Sequence, residues 1–498
     1  MKGTIHLRAG IPDEANRDYL PEIIKTTQIV VNENGNNSQP YPDGLVEKTG
    51  ILLEDGLTDT WYEYVPATYD PSKKTPLVVS CHGGLMTGWG QCIYTSWSYI
   101  ADREGFIVVY PSANRNRFWQ MTRRGPAPAA NAPRRSIGGV EMPPSPSSDE
   151  ENHDIQFIMA LIADMEKRYN IDEGRVYIQG MSMGGMMSNQ MVGYSPLTFA
   201  AYATAGAPGA PSNAMGFDGT IQKVLPPVAH FMSMPEFNGW DKNPERSRVG
   251  KEGVRNTINY WKQMNGCETL PEIKIVGEDN YAFYTGTRAN LIIRDIRNRD
   301  HGQTLDDAEL VWSYLFSGTR RNADGTITHT PTDAPCKGDA FGVMIFDGLN
   351  KAWVNGKPVD LKAPVTLYQK LKYHGLDGGQ VVRGEYFTAP ISFLAEVVGA
   401  EYSTSDDGKC ASLKLRDGRK VDYALGSIGC VIDNKISSMD CEARMIENEL
   451  CIPVEWFFNI LLNMRVSRRE NALYITDHYA ELSTFAAMIV EDILTGEG

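Results

Sequence analysis

Positive charge is in short supply in this sequence. There are 48 Lys and Arg against 62 Asp and Glu, a net charge of −14. Nucleic-acid binding draws on a basic patch that displaces counterions from phosphates, so a nucleic-acid partner is not expected. Long apolar runs are missing too. No stretch of 18 or more apolar residues occurs, and no membrane span is expected. The opening residues, MKGTIHLRAGIPDEANRDY, lack a continuous apolar segment and do not read as a signal peptide. The eight cysteines include no C-x-x-C, which argues against a zinc knuckle or a dithiol redox motif. Four of them, Cys410, Cys430, Cys441 and Cys451, lie close together in sequence, and both disulfides and free buried thiols remain open there. Histidine is scarce as well, at eight residues, which keeps the search for a catalytic base short.

What is present is a globular composition, 42% hydrophobic and 22% charged over 498 residues. That is too long for one ordinary core and implies two or three domains. Residues 1–57 are polar and turn-rich and read as an N-terminal extension. From Trp61 the pattern changes. TPLVVSCHGG is an apolar run ending in Gly-Gly, as in a strand buried on both faces. HDIQFIMALIADMEKRYNID has helical spacing, and RVYIQG is again a strand. Strands alternating with helices predict an α/β fold with a mostly parallel sheet covered on both faces. The polar stretch 319–340 reads as a linker. Beyond it, 341–478 reads as a smaller α+β domain, with an internal echo between YFTAPISFLAEVVGA and LCIPVEWFFNILLNM. Residues 479–498 form a C-terminal tail with helical character.

The sharpest motif is G-x-S-x-G at Gly180, Met181, Ser182, Met183 and Gly184, directly between a predicted strand and a predicted helix. A tight turn there lifts a serine hydroxyl above the sheet, and the helix N-terminus favours developing negative charge. Ser182 is therefore the candidate nucleophile, against the plainer reading of an N-cap serine at a Gly-rich junction. A nucleophilic serine needs a base. His301, in a loop between the last strand and helix of this region, is the candidate; His230 lies inside a strand and reads as a core residue. For an oxyanion, the N–H of Met183 and that of Gly84 or Leu85, in the CHGGLMTGW loop, are the candidate donors. His82 reads there as a structural hydrogen-bonder.

WYEYVPATYDPSKKTPLVVSCHGG, IADREGFIVVYPS, the segment from HDIQFI to the serine motif, and DHG before the last helix together resemble the polyhydroxybutyrate depolymerase and feruloyl esterase family of α/β-hydrolases, over residues 58–318. The resemblance implies an α/β-hydrolase fold and a serine carboxylesterase of extracellular or cell-surface location (cytoplasmic if no signal was removed). Ser182 would be its nucleophile and His301 its base, with no cofactor and no metal. Feruloyl or other phenolic esters come first as substrates, then polyhydroxyalkanoates or acetyl esters. A degenerate hydrolase serving as a surface binding protein is the reading from a different class. AWVNGKPVDL, YFTAPISFLAEVVGA and CIPVEWFFNILLNMRVSRRENALYI resemble the copper amine oxidase N-terminal-like domain. That likeness implies no copper and suggests a module for wall or polysaccharide contact or for self-association.

The third catalytic member is the open point. In that family the acid falls ten positions into a segment opening Pro-Val. Counting from Pro227 in PVAHFMSMPE places Glu236 there, with Asp241 as the alternative acid. Trp89, Trp119, His153, Phe237 and Trp240 sit in loops expected at the C-terminal edge of the sheet. They are candidates for a substrate pocket, or else for packing.

Overall fold

A computed structural model describes residues 3–6, 42–124, 135–137, 139–216, 218–236, 244–268, 270–299, 301–374 and 379–496. The chain divides into two compact units. One comprises Met1–Pro271 with Ala282–Cys336, and the other Glu272–Tyr281 with Lys337–Gly498.

Eight strands of a ten-stranded sheet lie wholly in the first unit: β1 (Leu45–Gly50), β2 (Asp59–Tyr64), β3 (Thr75–Cys81), β4 (Ile107–Pro111), β5 (Ile171–Met181), β6 (Ala201–Ala205), β7 (Ala229–Glu236) and β8 (Leu291–Arg297). Their spatial order is β1-β2-β4-β3-β5-β6-β7-β8. β1, β2 and β4 pair antiparallel, and every neighbour from β4 to β8 is parallel. This is the α/β-hydrolase arrangement. The parallel strands explain the unbroken apolar runs. β3, β4 and β6 are buried at every position, because helices cover both faces.

The helices that matter for the site follow strand ends. α1 (Gly88–Tyr94) and α2 (Trp97–Glu104) follow β3, α3 (His153–Arg168) precedes β5, α4 (Met183–Tyr194) follows it, and α5 (Pro244–Asn265) lies between β7 and β8. α6 (Asp307–Tyr314) follows β8. Asn152 caps α3: its Oδ1 accepts the Ile155 N–H at 3.2 Å.

The segment read as a linker begins inside the first unit. Thr319–Arg321 pairs antiparallel with Ile327–His329. The Arg321 guanidinium donates to the carbonyls of Phe199, Pro196 and Pro227. Those donors satisfy carbonyls in the segments that lead into β6 and β7.

The second unit is sheet-rich, with its own core around Phe387, Leu394, Leu413, Trp456 and Phe457. The sequence echo appears as two strands ending in proline, Gly379–Pro390 and Glu449–Pro453. They pair antiparallel through Thr388–Pro453, Ala389–Ile452 and Pro390–Cys451. Each leads into a short helix, Ile391–Val398 and Trp456–Leu461. A helix capped by Ser483, Thr484–Thr495, closes the unit. Cys410, Cys430, Cys441 and Cys451 are thiols and not disulfides.

Candidate active site

The sheet register brings the candidate residues to one edge. Gly180 at the end of β5 lies beside Cys81 of β3 on one side and Thr204 of β6 on the other. Ala205 lies beside Ser233 of β7, and Ser233 beside Arg294 of β8. Chain reversals just beyond these positions therefore meet.

Ser182 occupies that reversal with φ 53° and ψ −116°, a region L-residues seldom adopt. Its N–H is held by the Ala205 carbonyl at 2.8 Å. The flanking glycines are required by space. A Cβ on Gly180 would lie 2.1 Å from the Gly184 carbonyl oxygen, and one on Gly184 would lie 2.1 Å from that of Cys81. No side chain fits at either place, so the turn is as tight as the motif implies. Ser182 is half-buried and its hydroxyl lies 2.8 Å from His301 Nε2. If Ser182 donates, Nε2 is the bare nitrogen and Nδ1 carries the proton.

His301 rests on Gly206, just past β6. Gly206 has φ 64°, and a Cβ there would stand 3.1 Å from His301 Cε1 and 3.2 Å from Nδ1. The loop after His301 is fastened from below. Ser233 Oγ donates to Asp307 Oδ1 at 2.7 Å. The buried Arg294 reaches Thr304 Oγ1 at 2.9 Å and Asp307 Oδ1 at 3.3 Å. Burial pushes the Asp307 carboxyl up to about 6, although Arg294 and Ser233 both favour its charged form. Of these residues, sequence reading missed Gly206, Arg294 and Asp307. The one signal for Gly206 is a glycine placed at the end of the buried strand AYATA.

One candidate oxyanion donor is removed. The Leu85 N–H is already engaged by the Arg117 carbonyl at 2.8 Å, with Leu85 at φ 68°. Gly84 and Met183 are the candidates left. They are neighbours: a Cβ on Gly84 would lie 2.9 Å from Met183 Sδ. Met183 is the first residue of α4, where a backbone N–H has no carbonyl four residues earlier in the helix.

His82 is structural. Its ring accepts the Ala113 N–H on Nε2 at 2.9 Å, and its Nδ1 lies 2.7 Å from the Gly83 carbonyl, so Nδ1 carries the proton. Burial lowers it to about 4 and keeps it neutral. Trp119 packs beneath. Its indole N–H donates to the His82 carbonyl at 2.7 Å and its ring stacks on His82 at 4.6 Å. Trp119 is fully buried, so it supports the loop and does not line a pocket. Asp154 holds this layer in turn, accepting the Gln120 N–H at 2.6 Å and the Asn114 N–H at 3.3 Å.

His153, another candidate pocket residue, is half-buried and held through both ring nitrogens. Nδ1 meets Asp55 at 2.6 Å and Nε2 meets Asp59 at 2.9 Å. Burial opposes its charge, but the hydrogen bonds to Asp59 and Asp55 outweigh that and raise it to about 9. Its ring is committed to an ion pair at the start of β2. Trp89, half-buried in α1, is the one candidate pocket aromatic left within the described residues. His230 lies in the core, stacked on Tyr202 at 3.9 Å.

For the acid, the backbone of Glu236 ends β7 and pairs with Arg297 at the end of β8, the strand that leads to His301. Its side chain, and Phe237, Trp240 and Asp241 altogether, lie outside the described residues.

No protein-family model matches the chain. It is 31% identical over 155 residues to a bifunctional acetylxylan esterase/xylanase of Neocallimastix patriciarum, covering 31% of this chain and 19% of that protein. It is 26% identical over 323 residues to a probable acetylxylan esterase A of Aspergillus fumigatus, covering 64% and 70%. It is 31% identical over 140 residues to a feruloyl esterase B of Neurospora crassa, covering 27% and 40%. The chain thus spans well under two thirds of the first and third of these relatives. Among solved structures, an acetyl xylan esterase from Aspergillus awamori aligns at 16% identity and a TM-score of 0.35, over 55% of this chain and 99% of that one.

Proposed function

We propose that this chain is a serine hydrolase of carboxylic esters, acting through an acyl-enzyme. The observation that carries the reading is the 2.8 Å contact between Ser182 Oγ and His301 Nε2, with the serine held at φ 53° on a strand-to-helix turn. Nucleophile and base are within hydrogen-bond reach, and the Met183 and Gly84 N–H groups are the proposed oxyanion donors. The similarity to acetylxylan and feruloyl esterases points to the same chemistry.

In this reading Ser182 attacks the ester carbonyl as His301 Nε2 takes its proton. The resulting oxyanion accepts hydrogen bonds from the Met183 and Gly84 N–H groups. The imidazolium returns the proton to the leaving alcohol. A water then repeats the sequence on the acyl-enzyme and releases the acid. Glu236 is the proposed partner of His301 Nδ1, and Asp241 the rival. The proposed substrate class is an acetyl or hydroxycinnamoyl ester on plant cell-wall glycan, and the proposed location is extracellular. We propose that the second unit is a copper amine oxidase N-terminal-like domain serving as a non-catalytic module for polymer contact or self-association.

The test is Ser182→Ala, assayed on p-nitrophenyl acetate and methyl ferulate. Loss of at least about 10³-fold in kcat is expected, and full activity would sink the reading. A fluorophosphonate probe should label Ser182 in the native chain; no labelling would favour a degenerate, binding-only hydrolase. Glu236→Gln should lower turnover more than Asp241→Asn, and the reverse order would move the acid to Asp241.

A further inference from the structure

A line of buried polar side chains runs under the site, and the reaction described above does not use it. Gln91 of α1 donates from Nε2 to Ser80 Oγ at 3.0 Å. Ser80 Oγ donates to Gln179 Oε1 at 2.8 Å, and Trp97 Nε1 of α2 donates to the same oxygen at 3.1 Å. Gln179 Nε2 then donates to Gln303 Oε1 at 2.8 Å. Every member is buried.

The direction of this chain is not arbitrary. An indole N–H can only donate. Trp97 therefore forces Gln179 to present its oxygen to Trp97 and Ser80, and its NH₂ to Gln303. Gln303 must answer with its oxygen. Both amides are thereby oriented by a group that cannot be reversed.

The placement is equally specific. Ser80 lies two residues before His82, in the strand leading to the candidate oxyanion loop. Gln179 lies three residues before Ser182, and Gln303 two residues after His301. The chain thus ties together the three segments that carry donor, nucleophile and base. Simple burial does not call for it, because a buried hydrogen-bonded pair can be replaced by apolar groups of the same shape at little net loss. Directional bonds add something apolar packing lacks: a fixed position along the strand axis for the loop carrying His301.

We propose that Gln303 and Gln179 are positioning residues, and that their hydrogen bond sets the register of His301 against Ser182. The proposal rests on the ester-hydrolase reading of that pair. The test compares Gln303→Leu with Gln303→Glu, which keeps an oxygen for Gln179 Nε2, on p-nitrophenyl acetate, with fluorophosphonate labelling followed in parallel. Gln303→Leu should lower kcat about 10-fold or more, leave KM within about 2-fold, and slow labelling by the same factor. Gln303→Glu should recover kcat to within about 3-fold of the parent at mildly acid pH, where a buried carboxyl is protonated. A folded Gln303→Leu with unchanged kcat overturns the proposal, as does equal loss in both variants. Gln303→Met, close in shape, repeats the test if the leucine variant does not fold; unfolding of both overturns the proposal too, since the bond would then serve stability alone. Ser182→Ala is run alongside. Turnover surviving in Ser182→Ala sinks the hydrolase reading itself, while a dead Ser182→Ala beside an unimpaired Gln303→Leu sinks only the positioning role.

Discussion

Gly206→Ala tests the seat of the proposed base, His301, directly. Two effects are separable in advance. The first is conformational: φ at this position is 64°, where a Cβ is disfavoured by roughly 1–2 kcal/mol. The second is steric. The new methyl would stand 3.1 and 3.2 Å from two atoms of the His301 ring, closer than ordinary van der Waals contact, so the ring must yield by a few tenths of an ångström. His301 is exposed, and the added methyl pushes its ring outward, away from Gly206. A full 1 Å misplacement of a reacting group is worth about 10²-fold in rate, so this smaller shift should lower kcat about 3- to 10-fold, or about 1 kcal/mol in barrier. Gly105→Ala is the control. Gly105 has φ 78°, and the nearest atom to its Cβ would be Thr68 Oγ1 at 3.9 Å. It carries the conformational penalty without the clash. Urea unfolding and kcat on p-nitrophenyl acetate are measured for both. Both variants should lose stability by similar amounts, and only Gly206→Ala should lose turnover. Equal kcat in the two would refute the assignment of His301, seated on Gly206, as the base.

Other perturbations follow from the ion pairs. His153 is raised to about 9 from 6.5 in the folded chain, so its stabilisation is fully present below about 6.5 and is lost as pH rises through about 9. Because Asp55 is solvent-exposed, the swing is on the order of 2 kcal/mol. His153→Gln should flatten the stability profile between pH 6.5 and 9 in urea titrations, and an unchanged slope would rule the pair out as its source. Arg294→Met leaves Asp307 buried without its cation and should cost about 3–5 kcal/mol at pH 7. The Asp307 carboxyl is already raised to about 6, and a raised acid contributes stability at low pH that is lost as pH rises. The variant should therefore be more stable near pH 5 than at pH 7; the opposite trend would contradict the pairing. Trp119→Phe removes the indole N–H from the His82 carbonyl and should cost about 1 kcal/mol, with a fall in kcat if the Gly84 loop shifts.

Much of this molecule is legible in one dimension because its physics is local. A strand buried on both faces must be apolar throughout, so TPLVVSC and FIVVY announce a parallel sheet. A turn too tight for any side chain must be written with glycine, so Gly180 and Gly184 mark Ser182. A loop histidine between the last strand and helix of the sheet points to His301. What tertiary structure decided concerns contacts between segments far apart in sequence. The sequence offers Leu85 as a donor, and only the fold brings the Arg117 carbonyl, 32 positions away, to occupy it. By their place in loops His153 and Trp119 read either as pocket walls or as packing; folding commits the first to Asp55 and Asp59 and packs the second under His82. Gln179 and Gln303, 124 positions apart, have no pattern that links them, because a hydrogen bond between side chains leaves no periodicity in either strand or loop. Periodicity and steric exclusion are properties of neighbours along the chain. Partner choice among buried polar groups is a property of the packed sheet, and it decided which of the legible residues stand at the site.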